Sequence, residues 1–261
     1  MKRNRAILFV LPNLFTVSSI FCGMYAIFQA TGSGSDRFFK AAIAIIFAVL
    51  FDSADGRVAR ATRTQSEFGI QMDSLADAIS FGVAPAVLVY KWALFHFGLL
   101  GMAVAFVYAT CGVIRLARFN VQAIQASSSS RHFTGLPIPL AAANLVALVL
   151  VHARSGGVVL GPQPLLLVVV LLLSALMVSR VRYRTFKAAG ARQAGVAALA
   201  LLVLVLVALV KTGFALMFMG LMTAMLALGP AEELVRLVRR RLPGRSSDED
   251  SREEGCEEET A

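Results

Sequence analysis

Acidic residues are scarce in the body of this chain, and most of them lie in one short stretch. The acids before residue 232 are Asp36, Asp52, Asp55, Glu67, Asp73 and Asp77. Asp52 and Asp55 are spaced i, i+3, and Asp73 and Asp77 are spaced i, i+4. The two members of each pair therefore lie on one face of a helix. Two antiparallel helices joined by a polar turn would therefore bring four carboxylates together.

A group of four carboxylates needs a positive partner. Like charges repel, and each charge is costly in apolar surroundings. Arg60 and Arg63 could pair with some of them, as in a solvated ion-pair cluster at a helix hairpin. An all-oxygen ligand set on two facing helices better suits a hard divalent cation, Mg²⁺ or Mn²⁺. Two such ions, with Arg60 as a phosphate partner and Gly56 and Gly69 leaving room for a ligand, would serve phosphoryl chemistry.

The elements that must position these residues are membrane helices. Of the 261 residues, 57% are hydrophobic and 16% are charged, against about 25% charged in a typical soluble domain. This composition excludes a disordered chain and a nucleic-acid-binding arm. Apolar runs of the length needed to cross a bilayer, about 20 residues, predict eight spans. They lie near 6–30, 38–54, 70–91, 98–119, 136–153, 163–179, 194–211 and 213–229.

The basic residues predict the orientation of these spans. With eight spans, 20 of the 25 Lys and Arg residues fall on the side that holds both termini. The positive-inside rule places that side in the cytoplasm. The sequence after residue 245 is acidic, lacks core-forming residues, and is expected to be a disordered tail.

The acidic stretch resembles the signature of the CDP-alcohol phosphatidyltransferases. It matches D-x-x-D-G-x-x-A-R-x8-G-x3-D-x3-D at every specified position. The resemblance implies six core membrane helices and a site open to the cytoplasm, where a phosphatidyl group passes from a CDP-linked lipid to an alcohol and CMP is released. It also implies that the four aspartates bind two metal ions and that Asp77 is the general base. The residues that it implies for binding the CDP-lipid are Asn13, Thr16, Gly56, Ala59, Arg60, Ser66 and Gly69.

Further segments are similar to the membrane-integral bacterial phosphatidylserine synthases. These segments are TQSEFGIQMDSLADAISFGVAPA, RLARFNVQ, HFTGLPIP and MVSRVRYRTFK. The resemblance implies CDP-diacylglycerol and serine as substrates and a bacterial inner membrane location. A serine carboxylate needs cationic donors. The candidate acceptor-binding residues are Ser80, Arg115, Arg118 and Asn120. The two arginines could instead anchor a helix end to anionic headgroups, and the segment around Ser80 could be a packed kink.

The predicted fold is an all-α integral membrane bundle of about eight transmembrane helices. Residues 1–190 form the transferase core, 191–231 two additional helices, and 232–261 a cytoplasmic basic segment with the acidic tail. The expected partners are the two substrates and membrane lipids, without nucleic acid, and a homodimer is left open. Alternative functions are the same reaction with inositol phosphate, glycerol 3-phosphate or choline as acceptor, a transporter, and a prenyltransferase.

Overall fold

The described part of the chain is a bundle of helices. A computed structural model describes residues 2–32, 35–62, 64, 66–125, 133–154, 163–179 and 182–183. Its first two helices are α1 (Lys2–Thr31) and α2 (Ser35–Thr62). They pack closely against each other through small residues, because Ala26, Ala30, Ala41, Ala42 and Ala48 are all buried. Small side chains allow this close approach of membrane helices.

The third long helical stretch, Glu67–Phe97, is made of several segments. It comprises α3 (Glu67–Asp77), a π-helical segment (Ala78–Val83), α4 (Ala84–Val89), a second π-helical segment (Tyr90–Leu94) and a 3₁₀ turn (Phe95–Phe97). Pro85 explains the first irregularity, since proline has no N–H and clashes with the carbonyl four residues earlier. That carbonyl belongs to Phe81 and accepts a hydrogen bond from the buried Tyr108 hydroxyl at 3.2 Å.

The second half of the described chain completes the bundle. It contains α5 (Leu99–Gln125), α6 (Ile138–Arg154) and α7 (Gln163–Val178). Two strands of two residues each, β1 (Phe133–Thr134) and β2 (Arg182–Tyr183), pair antiparallel with Phe133 opposite Tyr183. The Leu136 N–H donates to the Leu176 carbonyl at 3.1 Å, which ties the start of α6 to the end of α7.

The turn before α6 requires a glycine. Gly135 has φ +86°, and a Cβ on it would lie 2.5 Å from the Met177 carbonyl oxygen. Both the left-handed backbone and the close approach to α7 exclude other residues. Gly135 and Leu136, in the middle of the segment HFTGLPIP, therefore lie directly against the end of the sixth predicted span.

The helices agree with a membrane protein. Within the described residues, three helices are long and apolar enough to cross a bilayer, Asn13–Thr31, Glu67–Phe97 and Leu99–Gln122, and two more are shorter and apolar. Many of their large apolar side chains are exposed, including Phe21, Phe28 and Phe106. Exposure of such residues on long apolar helices fits contact with lipid. The helical membrane character predicted from sequence is confirmed, whereas the count of eight spans stays a prediction. The seventh and eighth predicted spans and the tail lie outside the described residues.

Helix α2 differs from the sequence prediction. Hydropathy predicts that the second span ends near residue 54 and that a polar turn follows it, but α2 continues to Thr62. Hydropathy marks where a chain leaves the apolar layer, whereas the helix ends where its backbone hydrogen bonds end. Gly56, Ala59 and Arg60 are therefore helical, and the connection to α3 is short.

Candidate functional site

Three of the four clustered aspartates come together where α2 and α3 meet. One carboxylate oxygen each from Asp52, Asp55 and Asp73 lies within 4.8 Å of the other two. Asp77 is outside this set of three, but its carboxyl group is close enough to Asp52 to interact with it. The structure thus brings together all four acids that the spacing predicted to meet.

The acidic cluster fits a divalent cation. Asp55 is buried, and one oxygen each of Asp73 and Asp77 is buried without a hydrogen-bond partner within the described residues. Crowded carboxylates repel one another, and buried unpaired oxygens are costly. A hard cation with oxygen ligands, such as Mg²⁺ or Mn²⁺, would offset both costs.

Helix α1 contributes a polar contact to the cluster. The Thr16 hydroxyl donates to Asp55 Oδ2 at 2.8 Å, and both residues are buried. This bond joins α1 to α2 and fixes one carboxylate of the cluster. Asn13 lies one turn earlier on α1, on the wall of the adjoining cavity.

A cavity of about 200 Å³ opens beside the acidic cluster, between α1, the end of α2 and the start of α3. Its wall includes Asp55 and Asp73 from the cluster. It also includes all seven residues expected to bind the CDP-lipid, Asn13, Thr16, Gly56, Ala59, Arg60, Ser66 and Gly69. Thr64 and Ile70 line it as well, and sequence reasoning missed both. Thr64 lies in the polar turn, which was a usable signal, whereas nothing in the type of Ile70 indicated a site.

The start of α3 gives this cavity a positive end. Ser66 is the N-cap of α3, and its hydroxyl accepts a hydrogen bond from the Gly69 N–H at 3.0 Å. Unsatisfied N–H groups and the helix dipole make such a terminus suitable for phosphate. Arg60 lines the same cavity, and its guanidinium lies near Gly56, where a Cβ would be 3.4 Å from Arg60 Nη1. Phosphate oxygens in the cavity could therefore accept hydrogen bonds from Arg60 and from the start of α3.

A larger cavity of about 340 Å³ lies farther along α1 and α2, away from the acids. Apart from Lys40 and Tyr25 its wall is apolar or sulfur-bearing, including Phe21, Phe39 and Phe47. It lacks the carboxylates and phosphate donors of the smaller cavity. The chemistry therefore belongs to the smaller cavity.

The four candidate acceptor residues have different surroundings. Arg115 lies near Asp77, and its Nε is buried without a hydrogen-bond partner among the residues described. Arg118 Nη1 instead donates to the Val178 carbonyl at the end of α7, at 3.0 Å. Asn120 is hydrogen-bonded to Ser74 on α3.

Ser80 is fully buried where the first π-helical segment packs against α1. Its hydroxyl donates to the Ser19 carbonyl at 2.9 Å, and the Ser19 hydroxyl lies 3.3 Å from it. A Cβ on Gly23 would come within 2.8 Å of Ser80 Oγ, so α1 is closely packed at this point. Ser80 thus joins the π-helical segment to α1, as the packed-kink interpretation expects. Of the four candidates, Arg115 is the one with an unpaired donor near the acids.

Comparison with known proteins gives the same family as the signature. Residues 9–165 match the model of the CDP-alcohol phosphatidyltransferase family. The chain belongs to this family. The resemblance stated from the sequence is confirmed, and with it the expectation of a transferase of phospholipid biosynthesis.

Relatives within the family carry names that specify serine. A CDP-diacylglycerol–serine O-phosphatidyltransferase of Helicobacter pylori is 44% identical over 180 residues, which cover 69% of this chain and 74% of the relative. A protein of the same name from Bacillus subtilis is 34% identical over 179 residues, 68% of this chain and 91% of the relative. An archaetidylserine synthase of Methanothermobacter thermautotrophicus is 41% identical over 137 residues, which cover 52% of this chain and 55% of the relative.

Proposed function

We propose that this protein transfers the phosphatidyl group of CDP-diacylglycerol to the hydroxyl of L-serine, giving phosphatidylserine and CMP. One observation carries the proposal: the acidic cluster opens onto the cavity that holds every residue expected to bind the CDP-lipid. The names of the bacterial relatives support serine over inositol phosphate, glycerol 3-phosphate or choline. A transporter would need its carboxylates near the bilayer midplane, whereas these lie near one end of α2 and at the start of the third helical stretch.

The reaction is a direct displacement at phosphorus. The serine oxygen forms a bond to the β-phosphorus, and the bond from that phosphorus to the CMP oxygen breaks. Asp77 takes the hydroxyl proton, because it lies beside the cluster with a buried oxygen that has no hydrogen-bond partner in the described part of the chain. Arg60 and the N-terminus of α3 bind the pyrophosphate and stabilise charge on the leaving CMP.

The metal site is proposed to hold two ions, Mg²⁺ or Mn²⁺, on Asp52, Asp55, Asp73 and Asp77. When bound, these ions neutralise charge on the pyrophosphate and on the reacting oxygens. The protein's own part is to hold the carboxylates in place, and the bond from Thr16 to Asp55 does this at the α1 side.

Arg115 is proposed to bind the serine carboxylate. It is the cation of α5 that lies near Asp77, so an acceptor bound to it would have its hydroxyl close to the proposed base. A guanidinium matches a carboxylate with two parallel hydrogen bonds. The hydrogen bonds of Arg118, Asn120 and Ser80 are made to neighbouring helices, and these three residues are proposed to support the pocket.

The proposed setting is the bacterial inner membrane, with the active site facing the cytoplasm. The distribution of basic residues supports eight spans with both termini inside. In this arrangement residues 1–190 are the catalytic core, 191–231 add two helices, and 232–261 are a basic segment and an acidic tail.

The decisive assay measures CMP release by the detergent-purified protein supplied with CDP-diacylglycerol and Mg²⁺ or Mn²⁺. Serine should support release, and inositol phosphate, glycerol 3-phosphate and choline should not. Asp77→Asn should lose roughly 100-fold or more of the turnover, in line with general-base catalysis, while CDP-lipid binding is retained. Asp36→Asn is the matched control, because Asp36 is an exposed acid at the other end of α2, paired with Lys40.

Two results would contradict the proposal. Release of CMP with none of the four alcohols would exclude the transferase. Turnover of Asp77→Asn equal to that of the control would exclude Asp77 as the base.

A further inference from the structure

Helix α3 carries two of the four acids but has little packing of its own. Of its eleven residues, Ala76 is the buried one. Phe68, Ile70 and Leu75 on the same helix are each more than half exposed. Helices in proteins gain most of their stability from a buried face. Apolar packing of α3 on other helices therefore contributes little to holding its carboxylates, which leaves polar contacts and the continuation of the helix into the buried segment Ala78–Val83 to hold them in place.

A polar bridge from α5 meets this need. Asn120 Nδ2 donates to Ser74 Oγ at 3.0 Å, and Ser74 Oγ lies 3.1 Å from Asn120 Oδ1, to which it can donate. Asn120 Nδ2 also reaches Gln71 Oε1 at 3.4 Å. Two side chains of α3, Ser74 and Gln71, are therefore hydrogen-bonded to the same residue of α5.

The bridge lies close to the reacting groups on both helices. Ser74 follows Asp73 directly and precedes Asp77 by three residues, so it is next to both acids on α3. On α5, Asn120 is five residues after Arg115, which lies near Asp77. A change at the bridge would therefore move two metal ligands relative to the cation that faces them.

We propose that Asn120 and Ser74 are positioning residues, whose mutual hydrogen bond sets α3 so that Asp73 and Asp77 can share a divalent cation with Asp52 and Asp55. This inference rests on the proposed function for the role of the cation. In this proposal Asn120 supports the metal ligands and does not contact serine, unlike its predicted role as an acceptor-binding residue.

The test measures Mn²⁺ binding to detergent-purified protein by electron paramagnetic resonance, with and without CDP-diacylglycerol. Asn120→Ala and Ser74→Ala should each raise the Mn²⁺ dissociation constant, by roughly 3- to 10-fold for the loss of the contact between Asn120 and Ser74. The double variant should be no weaker than Asn120→Ala, because Asn120→Ala already removes every hydrogen bond between Asn120 and Ser74. The exchanged pair, Asn120→Ser with Ser74→Asn, should recover most of the affinity.

Two controls separate positioning from other effects. Gln122→Ala removes an exposed amide from the same helix and should leave Mn²⁺ binding unchanged. In CMP-release assays at saturating Mn²⁺, the serine KM of Asn120→Ala should stay within about 3-fold of that of the wild type. Ser74→Ala removes one oxygen from a half-buried site, so it remains informative if Asn120→Ala does not fold.

The outcomes are distinct from those that test the proposed function. Unchanged Mn²⁺ affinity with a raised serine KM in Asn120→Ala would overturn the inference and give Asn120 an acceptor role. Multiplying effects in the double variant, or a wild-type protein that binds no Mn²⁺, would also overturn it. If Mn²⁺ binding responds as expected but no alcohol supports CMP release, the positioning role stands and the transferase reaction fails.

Discussion

The hydrogen bond from Thr16 to Asp55 should determine how tightly the acidic cluster holds metal. Thr16→Val keeps the shape of the side chain and removes the hydroxyl that donates to Asp55 Oδ2 at 2.8 Å. Thr16 is 4% exposed and Asp55 5%, so water cannot easily replace the lost donor. A hydrogen bond to a charged group contributes about 1.5–3 kcal/mol. Since 1.4 kcal/mol is about a factor of ten, the Mg²⁺ concentration for half-maximal CMP release should rise about 10- to 150-fold.

The assay is CMP release at saturating CDP-diacylglycerol and serine, titrated with Mg²⁺. Thr16→Ser keeps a hydroxyl and should stay close to wild type. Ser18→Ala is the control on the same helix, because its hydroxyl donates to the Leu14 carbonyl of its own helix at 2.8 Å and does not reach the acids. A half-saturating Mg²⁺ concentration for Thr16→Val within about 3-fold of wild type would refute the reasoning. Equal impairment of Thr16→Ser and Thr16→Val would refute it too, because steric fit would then be the cause.

Two further predictions concern the packing around the site. Tyr108→Phe should lower the free energy of unfolding in detergent by about 1–3 kcal/mol, because the Phe81 carbonyl loses the hydrogen bond from the Tyr108 hydroxyl. Adding Pro85→Ala should reduce that loss, since residue 85 then supplies an N–H to the same carbonyl. If the effects of the two substitutions simply add, this account is contradicted. Arg118→Ala should lower the melting temperature while serine KM is unchanged, because Arg118 holds the Val178 carbonyl at the end of α7; a raised serine KM would instead place Arg118 at the acceptor.

The helices and the identity of the site could be predicted from sequence to a large extent. Apolar length predicts membrane helices because the bilayer thickness sets it, and the spacing of the acids predicts which of them share a helix face. The end of α2 could not be predicted in this way. The segment from Asp55 to Thr62 is polar but still helical, so the predicted turn contained Gly56, Ala59 and Arg60, which the structure places on one helix face toward the cavity.

The hydrogen bonds between helices could not be predicted from the sequence. The bonds from Tyr108 to Phe81 and from Asn120 to Ser74 depend on the rotation of α5 about its axis, and Phe81 lies inside the first π-helical segment. Neither is encoded in a local pattern. The position of Asn120 just after two arginines predicts an acceptor role, whereas its hydrogen-bond partner Ser74 lies on a different helix, α3, which no local sequence pattern indicates.

The two arginines of α5 show why spacing alone does not assign a role. Arg115 and Arg118 are three residues apart, so both point to the same half of the helix. The two arginines nevertheless have different neighbours. Asp77 lies near Arg115, whereas the Val178 carbonyl at the end of α7 accepts a hydrogen bond from Arg118. A cation beside a carboxylate cluster can bind an anionic ligand, whereas a cation bonded to a helix-end carbonyl stabilises that end. The same residue type at neighbouring turns thus has two different chemical surroundings, and it is the packing partner that separates the candidate ligand-binding arginine from the structural one.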